Sequence, residues 1–292
     1  MKKILSWCVI AYRTLENYPR VVMPVVTLVL CGYGYEVFIA RPALLYQGTP
    51  QATSFLNVNT WCRIFRNNGF IVGYSDWRGN PLWVEYALTP VDENQPHLKR
   101  LAHFQTDWRS FNRVTHDDYT KSGFDRGHNA PNHAMSMLYG RYGQADSFLM
   151  TNVSPQKAKL NQQVWQHLEE MEFGFAKNFG KIWVITGPIF GENVERLPSS
   201  WRVSIPKAFY KIYVSEETAS KPAFALAFVV PQTVSGKESI NSFITTIDAI
   251  EAQTGLDFLA DFDDRVEAHL EGVIELAPWN LTSPTKLPAR TP

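Results

Sequence analysis

The residues whose types and spacing could do chemistry lie between Ser122 and Glu172. Arg126 and His128 fall in the run Gly123-Phe124-Asp125-Arg126-Gly127-His128-Asn129-Ala130-Pro131, and Asn161 and Glu169 follow in a second run. A histidine has the right unperturbed pKa to take a proton from water near neutral pH. An arginine can clamp a phosphate through two hydrogen bonds. A cation, usually Mg²⁺, meets the charge that grows on phosphoryl and leaving oxygens. Because Mg²⁺ prefers oxygen and keeps several waters, one protein carbonyl or carboxylate can suffice to hold it. Those are the parts that phosphodiester hydrolysis requires.

The elements that must position these groups read as strand, long loop, strand, helix. A β-like run, Ser147–Ser154, is followed by Pro155-Gln156 and a helix in which Leu160, Val164, Leu168, Met171, Phe175 and Phe179 form one apolar stripe. Asn161, Trp165 and Glu169 lie beside that stripe. Asn161 suits a helix N-cap, which does not exclude metal binding. Glu169 lies eight residues further on, a rise of ~12 Å in a straight helix. It therefore reaches a metal at Asn161 only through water, or if the helix bends. Asp125 is expected to orient backbone or a neighbouring arginine. His133 does not form a zinc pair with His128, since Pro131 opposes a helix between them and no third soft ligand is evident; it is expected on a loop surface. His167 is expected to face solvent, and Trp165 to pack.

Elsewhere Phe70–Tyr74 and Leu82–Leu88 read as strands around the turn cluster Arg78-Gly79-Asn80-Pro81. Lys181–Thr186 reads as a buried strand ended by Gly187-Pro188, and Phe209–Val214 and Ala223–Val230 as further strands. Ser239–Gln253 reads as a helix, from Ile240, Phe243, Ile247 and Ile250. Strands followed by isolated helices indicate an α+β fold. Pro42–Asn59, with 41–59 as its bounds, looks like a linker, residues 60–282 the main domain, and 283–292 a loose tail. Cys8, Cys31 and Cys62 make no C-x-x-C pair, which argues against a disulfide scaffold or a cysteine zinc site.

Asp125-Arg126-Gly127-His128, Asn152 with Pro155-Gln156, and Asn161 with Trp165 and Leu168-Glu169 resemble the signature of the DNA/RNA non-specific endonuclease family. Gly69–Leu88, Arg100 with Phe104-Gln105-Thr106-Asp107, Trp201–Lys211 and Thr254–Phe258 look familial too, so the resemblance spans about residues 60–275. It implies a ββα-metal nuclease fold, with a central mostly antiparallel sheet flanked by helices. It further implies that His128 is the general base and that Asn161 is the direct protein ligand of one Mg²⁺, with Mn²⁺ as a substitute. Arg126, and Arg100 with it, would neutralise substrate phosphate; Asn152 would orient the site and Glu169 would hold metal-bound water. Substrates would be DNA and RNA gripped by the phosphate backbone, which is blind to sequence, and products would carry 5′-phosphates. A homodimer and a protein inhibitor are open expectations for partners.

The net charge is zero, an awkward balance for a nucleic-acid binder, so any grip on phosphate must come from a local cluster. Within residues 1–40, Lys2, Lys3, Arg13 and Arg20 stand against Glu16 ahead of an apolar stretch at 21–35, interrupted by Glu36 before Val37–Ala40. Fifteen residues are short for a spanning helix. The segment reads as an export signal or a membrane anchor through residues 21–40, the alternative being a buried helix or strand pair. Either of the first two sends the domain out of the cytoplasm: periplasmic, membrane-anchored facing outward, or secreted. Two rivals keep the fold and change the function. One is a nucleic-acid-binding module without turnover, and the other a phosphodiesterase acting on a non-nucleic substrate.

Overall fold

The computed structural model describes Arg13 and residues 17–92, 96–219 and 221–281. It divides into two units, Met1–Ala43 and Leu44–Pro292. The expected tail at 283–292 lies outside the described residues.

In the first unit, helix α1 (Pro19–Tyr35) does not stop at Glu36. A π-helical turn, Glu36–Ala40, and a 3₁₀ turn, Pro42–Leu44, carry it on. Glu36 is tolerated because Arg41 lies beside it, 3.9 Å away. The result is one helical stretch, Pro19–Leu44, of 26 residues, none of them buried. At 1.5 Å per residue it is ~39 Å long, more than the ~30 Å of a bilayer core. Glu36 interrupts the apolar run in the sequence without ending the helix, so the segment is longer than its fifteen uncharged residues imply.

The second unit is built on a seven-stranded sheet in which every neighbouring pair is antiparallel. Its strands, in sheet order from edge to edge, are β12 (Ile244–Thr245), β11 (Ala225–Pro231), β10 (Ala208–Ser215), β7 (Ile182–Ile189), β4 (Asn80–Leu88), β3 (Phe70–Ser75) and β2 (Arg63–Arg66), while β8 (Arg196–Leu197) and β9 (Ser200–Ser204) form a separate pair. Side chains alternate between two apolar layers, as the strand period requires. Phe70, Val72 and Tyr74 join one core and Ile71 joins the other. The α+β, mostly antiparallel expectation holds.

Gly187-Pro188 does not end β7. Pairing with β4 stops at Thr186, whereas pairing with β10 continues to Ile189, so Pro188 occupies a position with a free edge. From Leu44 the chain already packs on the domain, although 41–59 reads as a linker. Leu44, Leu45 and Tyr46 cover the second core, Tyr46 stacks on Trp183, and β1 (Gln51–Ala52) pairs with β13 (Leu256–Asp257). The expected helix Ser239–Gln253 is broken. A 3₁₀ turn at Ile240–Phe243 and the short β12 precede α4 (Ile247–Thr254), which Thr246 caps by accepting from Ala249 N at 3.2 Å. The apolar spacing simply runs through the break. Helix α5 (Asp264–Gly272) follows.

Candidate active site

The chemistry-bearing hairpin packs through Val153 into a third, smaller apolar cluster with Val114, Tyr119, Met150, Leu197 and Val203. Strand β5 (Asp125–His128) pairs antiparallel with β6 (Val153–Gln156), Gly127 opposite Ser154 and His128 opposite Val153. A Cβ on Gly127 would fall on the buried Gln156 side chain, so glycine there leaves room for that amide to lie across β5. Between them lies a helix, α2 (Asn132–Ser147), where a loop was expected. Its sequence is weakly patterned and kinks at Gly140 (φ 63°, ψ −151°), which hides it from a periodicity reading. His133 is exposed, as expected, but on the first turn of α2, which starts directly after Pro131.

After β6 the chain enters a helix whose first part, Leu160–Trp165, is π-helical before α3 (Gln166–Phe179). Such segments are uncommon and concentrate at functional sites. Asn161 lies inside this turn, not at the N-cap: its N–H already bonds Lys157 O at 2.9 Å. The straight-helix separation of Asn161 and Glu169 therefore does not apply. The apolar stripe packs as expected, with Leu160, Val164, Leu168 and Phe175 buried. Trp165 is buried edge-on against Phe209. His167 does not face solvent: it is half-buried, and its Nε2 is fully covered.

The Asn161 amide has a fixed orientation. Its Nδ2 donates to Asp125 Oδ2 at 3.0 Å, and Gln162 Nε2 donates to the same oxygen at 2.8 Å. A carboxylate accepts only, so the amide's NH₂ end must face it and Oδ1 must face away. Asp125 thus orients the side chain expected to hold the metal. Among the described residues Oδ1 has no hydrogen-bond partner.

His128 stands between Phe104 (ring centroids 4.9 Å apart) and the edge of Phe148 (5.0 Å), and its Nε2 is covered, with no hydrogen-bond partner among the described residues. Burial first, and the nearby Arg100 charge second, pull its pKa down to about 3. The ring is neutral at physiological pH, the form a base must start from. Arg126 is tied by Nε and Nη2 to the His116 carbonyl (3.2 and 2.8 Å) and by Nη2 to Thr120 Oγ1 (3.1 Å). Among the described residues its Nη1 has no hydrogen-bond partner. Arg100 is exposed, its guanidinium 5.4 Å from the Phe148 ring centre and within electrostatic range of both His128 and Glu169.

Asn152 is wholly buried and spent on the backbone. Oδ1 accepts from Ala130 N (2.9 Å), and Nδ2 donates to Ala130 O (3.0 Å) and Ser147 O (2.9 Å). It locks the chain two residues beyond His128, the geometry of a positioning residue. Glu169 has its pKa pushed up to about 8 by burial; Lys211 and Arg100 oppose the shift, and Glu172 and Glu170 add to it.

Behind Glu169 lies a buried network that the sequence does not announce. Lys211 on β10 forms an ion pair with Glu172, both fully buried, and Tyr86 donates to Glu172 Oε1 at 2.9 Å. A lysine inside the apolar strand Ala208–Ser215, and a glutamate one turn after Glu169, were the available signals. Phe104 and Phe148 were equally silent, being ordinary apolar residues until the fold sets them against His128.

The charge balance also resolves once it is located. Residues 247–272 carry eight acidic residues against Arg265 alone, which leaves the rest of the chain at +7.

An antiparallel hairpin carrying histidine and arginine, set against a helix that presents an amide oxygen, is the ββα class of nuclease site. The chain belongs to the DNA/RNA non-specific endonuclease family, whose model matches residues 52–265. It is 29% identical over 214 residues to a mitochondrial nuclease of Saccharomyces cerevisiae, covering 65% of this chain and 63% of the yeast protein. Against mitochondrial endonuclease G of Homo sapiens it is 28% identical over 202 residues, covering 65% and 67%. A nuclease of Serratia marcescens matches at 28% over 198 residues, covering 65% and 72%. The chain thus spans about two thirds of the length of these relatives. The solved structure of EndoG in complex with EndoGI shares the fold, with a TM-score of 0.60 at 24% identity over 68% of this chain and 86% of that one.

Proposed function

We propose that this protein is a Mg²⁺-dependent endonuclease that hydrolyses DNA and RNA without sequence preference and leaves 5′-phosphates. The observation that carries the reading is the Asp125–Asn161 bond, which turns an amide oxygen outward on the helix facing the hairpin of a neutral, half-buried His128. The donor set fits a hard divalent ion: the Asn161 Oδ1 is a neutral oxygen, and Glu169 is a half-buried carboxylate whose pKa is raised by desolvation first and by the Glu172 and Glu170 charges beside it. Asn161 would hold Mg²⁺ or Mn²⁺ directly and Glu169 through water. Bound there, the ion supplies positive charge to the leaving 3′ oxygen.

His128 takes the proton from the attacking water. In the free protein the Arg100 charge helps to keep the imidazole unprotonated; a phosphate paired with Arg100 offsets that charge and raises the ring's basicity when substrate is present. Arg126, held by His116 O and Thr120, turns its unused Nη1 hydrogens to a phosphate oxygen. Asn152 keeps the His128 strand in place. These contacts address phosphate rather than base edges, which explains the tolerance of both nucleic acids.

The two relatives named mitochondrial belong to an organelle. Here the basic residues ahead of Pro19–Leu44 favour a domain delivered across a membrane, anchored by this helix or released from it, and so periplasmic, outward-facing or secreted. A protein inhibitor is an expected partner, since EndoG is the subject of the inhibitory complex whose fold this chain shares. A homodimer is a further expected partner.

The test is the chemistry of the ends. Limit digests of DNA and of RNA by the full-length protein in Mg²⁺ should give fragments that ligase joins without prior kinase treatment. Fragments ending in 3′-phosphate, or tight binding with no cutting, would overturn the reading.

A further inference from the structure

On the sheet face away from the His128 hairpin, α4, β13 and α5 bring five carboxylates together. Asp248 and Glu251 are three apart on α4, Glu267 and Glu271 are four apart on α5, and Asp257 ends β13. Each helical pair shares one helix face. Carboxylate oxygens of Asp248, Glu251 and Glu271 lie within 4.8 Å of one another, and so do those of Asp257, Glu267 and Glu271. Glu271 belongs to both groups. It is only 6% exposed, and its Oε1 is buried without a hydrogen-bond partner among the described residues. Among the described residues, no lysine, arginine or histidine forms an ion pair with any of the five.

A buried carboxylate facing other carboxylates is costly unless a cation joins them. Burial and mutual repulsion raise the Glu271 and Glu251 pKa values, and only Glu251 has a compensating bond, from Phe258 N at 2.7 Å. Ligand number and charge select the ion: each group offers three carboxylates to one cation, a set that Ca²⁺ accepts among its six to eight oxygen ligands, whereas Mg²⁺ keeps several waters and usually takes one or two carboxylates.

We propose that Glu271, with Asp248 and Glu251 on one side and Asp257 and Glu267 on the other, holds a structural calcium ion distinct from the ion at Asn161. Such an ion ties α4 to α5 and to β13. Because Asp257 pairs with Gln51, it also fixes β1 against the domain.

The test uses the full-length protein carrying Asn161→Ala, so that the active-site ligand is gone. It is titrated calorimetrically with CaCl₂ and melted in EGTA and in calcium. One Ca²⁺ per chain is expected, with a rise in Tm of about 5–10 °C at saturation. Adding Glu271→Gln should abolish both, yet melt no lower than its parent in EGTA, because the amide removes a repelling charge. Glu267→Gln should weaken binding at least about tenfold while keeping the parent's melting point in EGTA. Calcium binding that survives Glu271→Gln would overturn the proposal, and so would a parent that binds no calcium and gains no stability from it.

Discussion

Asp125→Asn separates orientation of the metal ligand from the ligand itself. In the wild type, Asp125 accepts from Asn161 Nδ2 at 3.0 Å, and that bond fixes which end of the amide faces the site. A hydrogen bond to a charged group contributes about 1.5–3 kcal/mol. Replacing the carboxylate by an amide removes the charge and lets either end of Asn161 face it. The productive orientation then loses up to that preference, and 1.4 kcal/mol is a factor of ten. The apparent half-saturating Mg²⁺ concentration for plasmid cleavage should rise about 10- to 100-fold, the range typical for a residue that orients a metal ligand. The rate at saturating Mg²⁺ should stay within about threefold of wild type, because the base and the phosphate clamp are untouched. Gln162→Ala removes the other bond to the same oxygen and should shift Mg²⁺ dependence less than about threefold. An Asp125→Asn enzyme with unchanged Mg²⁺ dependence would refute the orientation argument, as would a loss of rate that saturating Mg²⁺ does not restore.

Asn152→Ala leaves three buried backbone groups unpaired and should destabilise by about 3 kcal/mol or more, lowering Tm by about 6–12 °C in a melting curve. Lys211→Met strands Glu172 in the core at a cost of about 3–5 kcal/mol; the double variant Lys211→Met/Glu172→Leu should recover most of it, measured by denaturant titration. Because the Glu169 pKa is raised to about 8, a proton competes with the cation below that pH. Apparent Mg²⁺ affinity should therefore tighten as pH rises from 6.5 to 8.5, by up to about tenfold per unit below the pKa. Glu169→Gln should flatten that dependence, which Mg²⁺ titrations of cleavage at each pH would reveal.

The parts of this molecule legible in the sequence are those where side-chain type alone restricts the options. The strand pattern of Phe70–Leu88 and of Phe209–Val214 was visible because alternation and turn residues agree. Arg126, His128, Asn161 and Glu169 were visible because few chemistries need that combination. What was hidden depends on contacts between distant residues. Nothing local says that Leu160–Trp165 will be π-helical, that Asp125 will face Asn161, or that Lys211 will be buried against Glu172. Helix α2 was missed because its weak stripe and Gly140 kink carry little periodic signal. The Ser239–Gln253 helix was over-read because apolar spacing persists across the 3₁₀ turn and β12, while the capping Thr246 marked the true start. Glu36 misled in the opposite direction, since one charge beside Arg41 does not end a helix.

The most direct test of the central claim is digestion of supercoiled plasmid and of total RNA by the full-length protein. Wild type in Mg²⁺ is compared with wild type in excess EDTA and with His128→Ala in Mg²⁺. The account predicts degradation of both substrates by wild type in Mg²⁺, none in EDTA, and a rate at least about 10²–10⁴-fold lower for His128→Ala. Cutting by His128→Ala at the wild-type rate, cutting in EDTA, or a folded wild type that cuts neither substrate would contradict it.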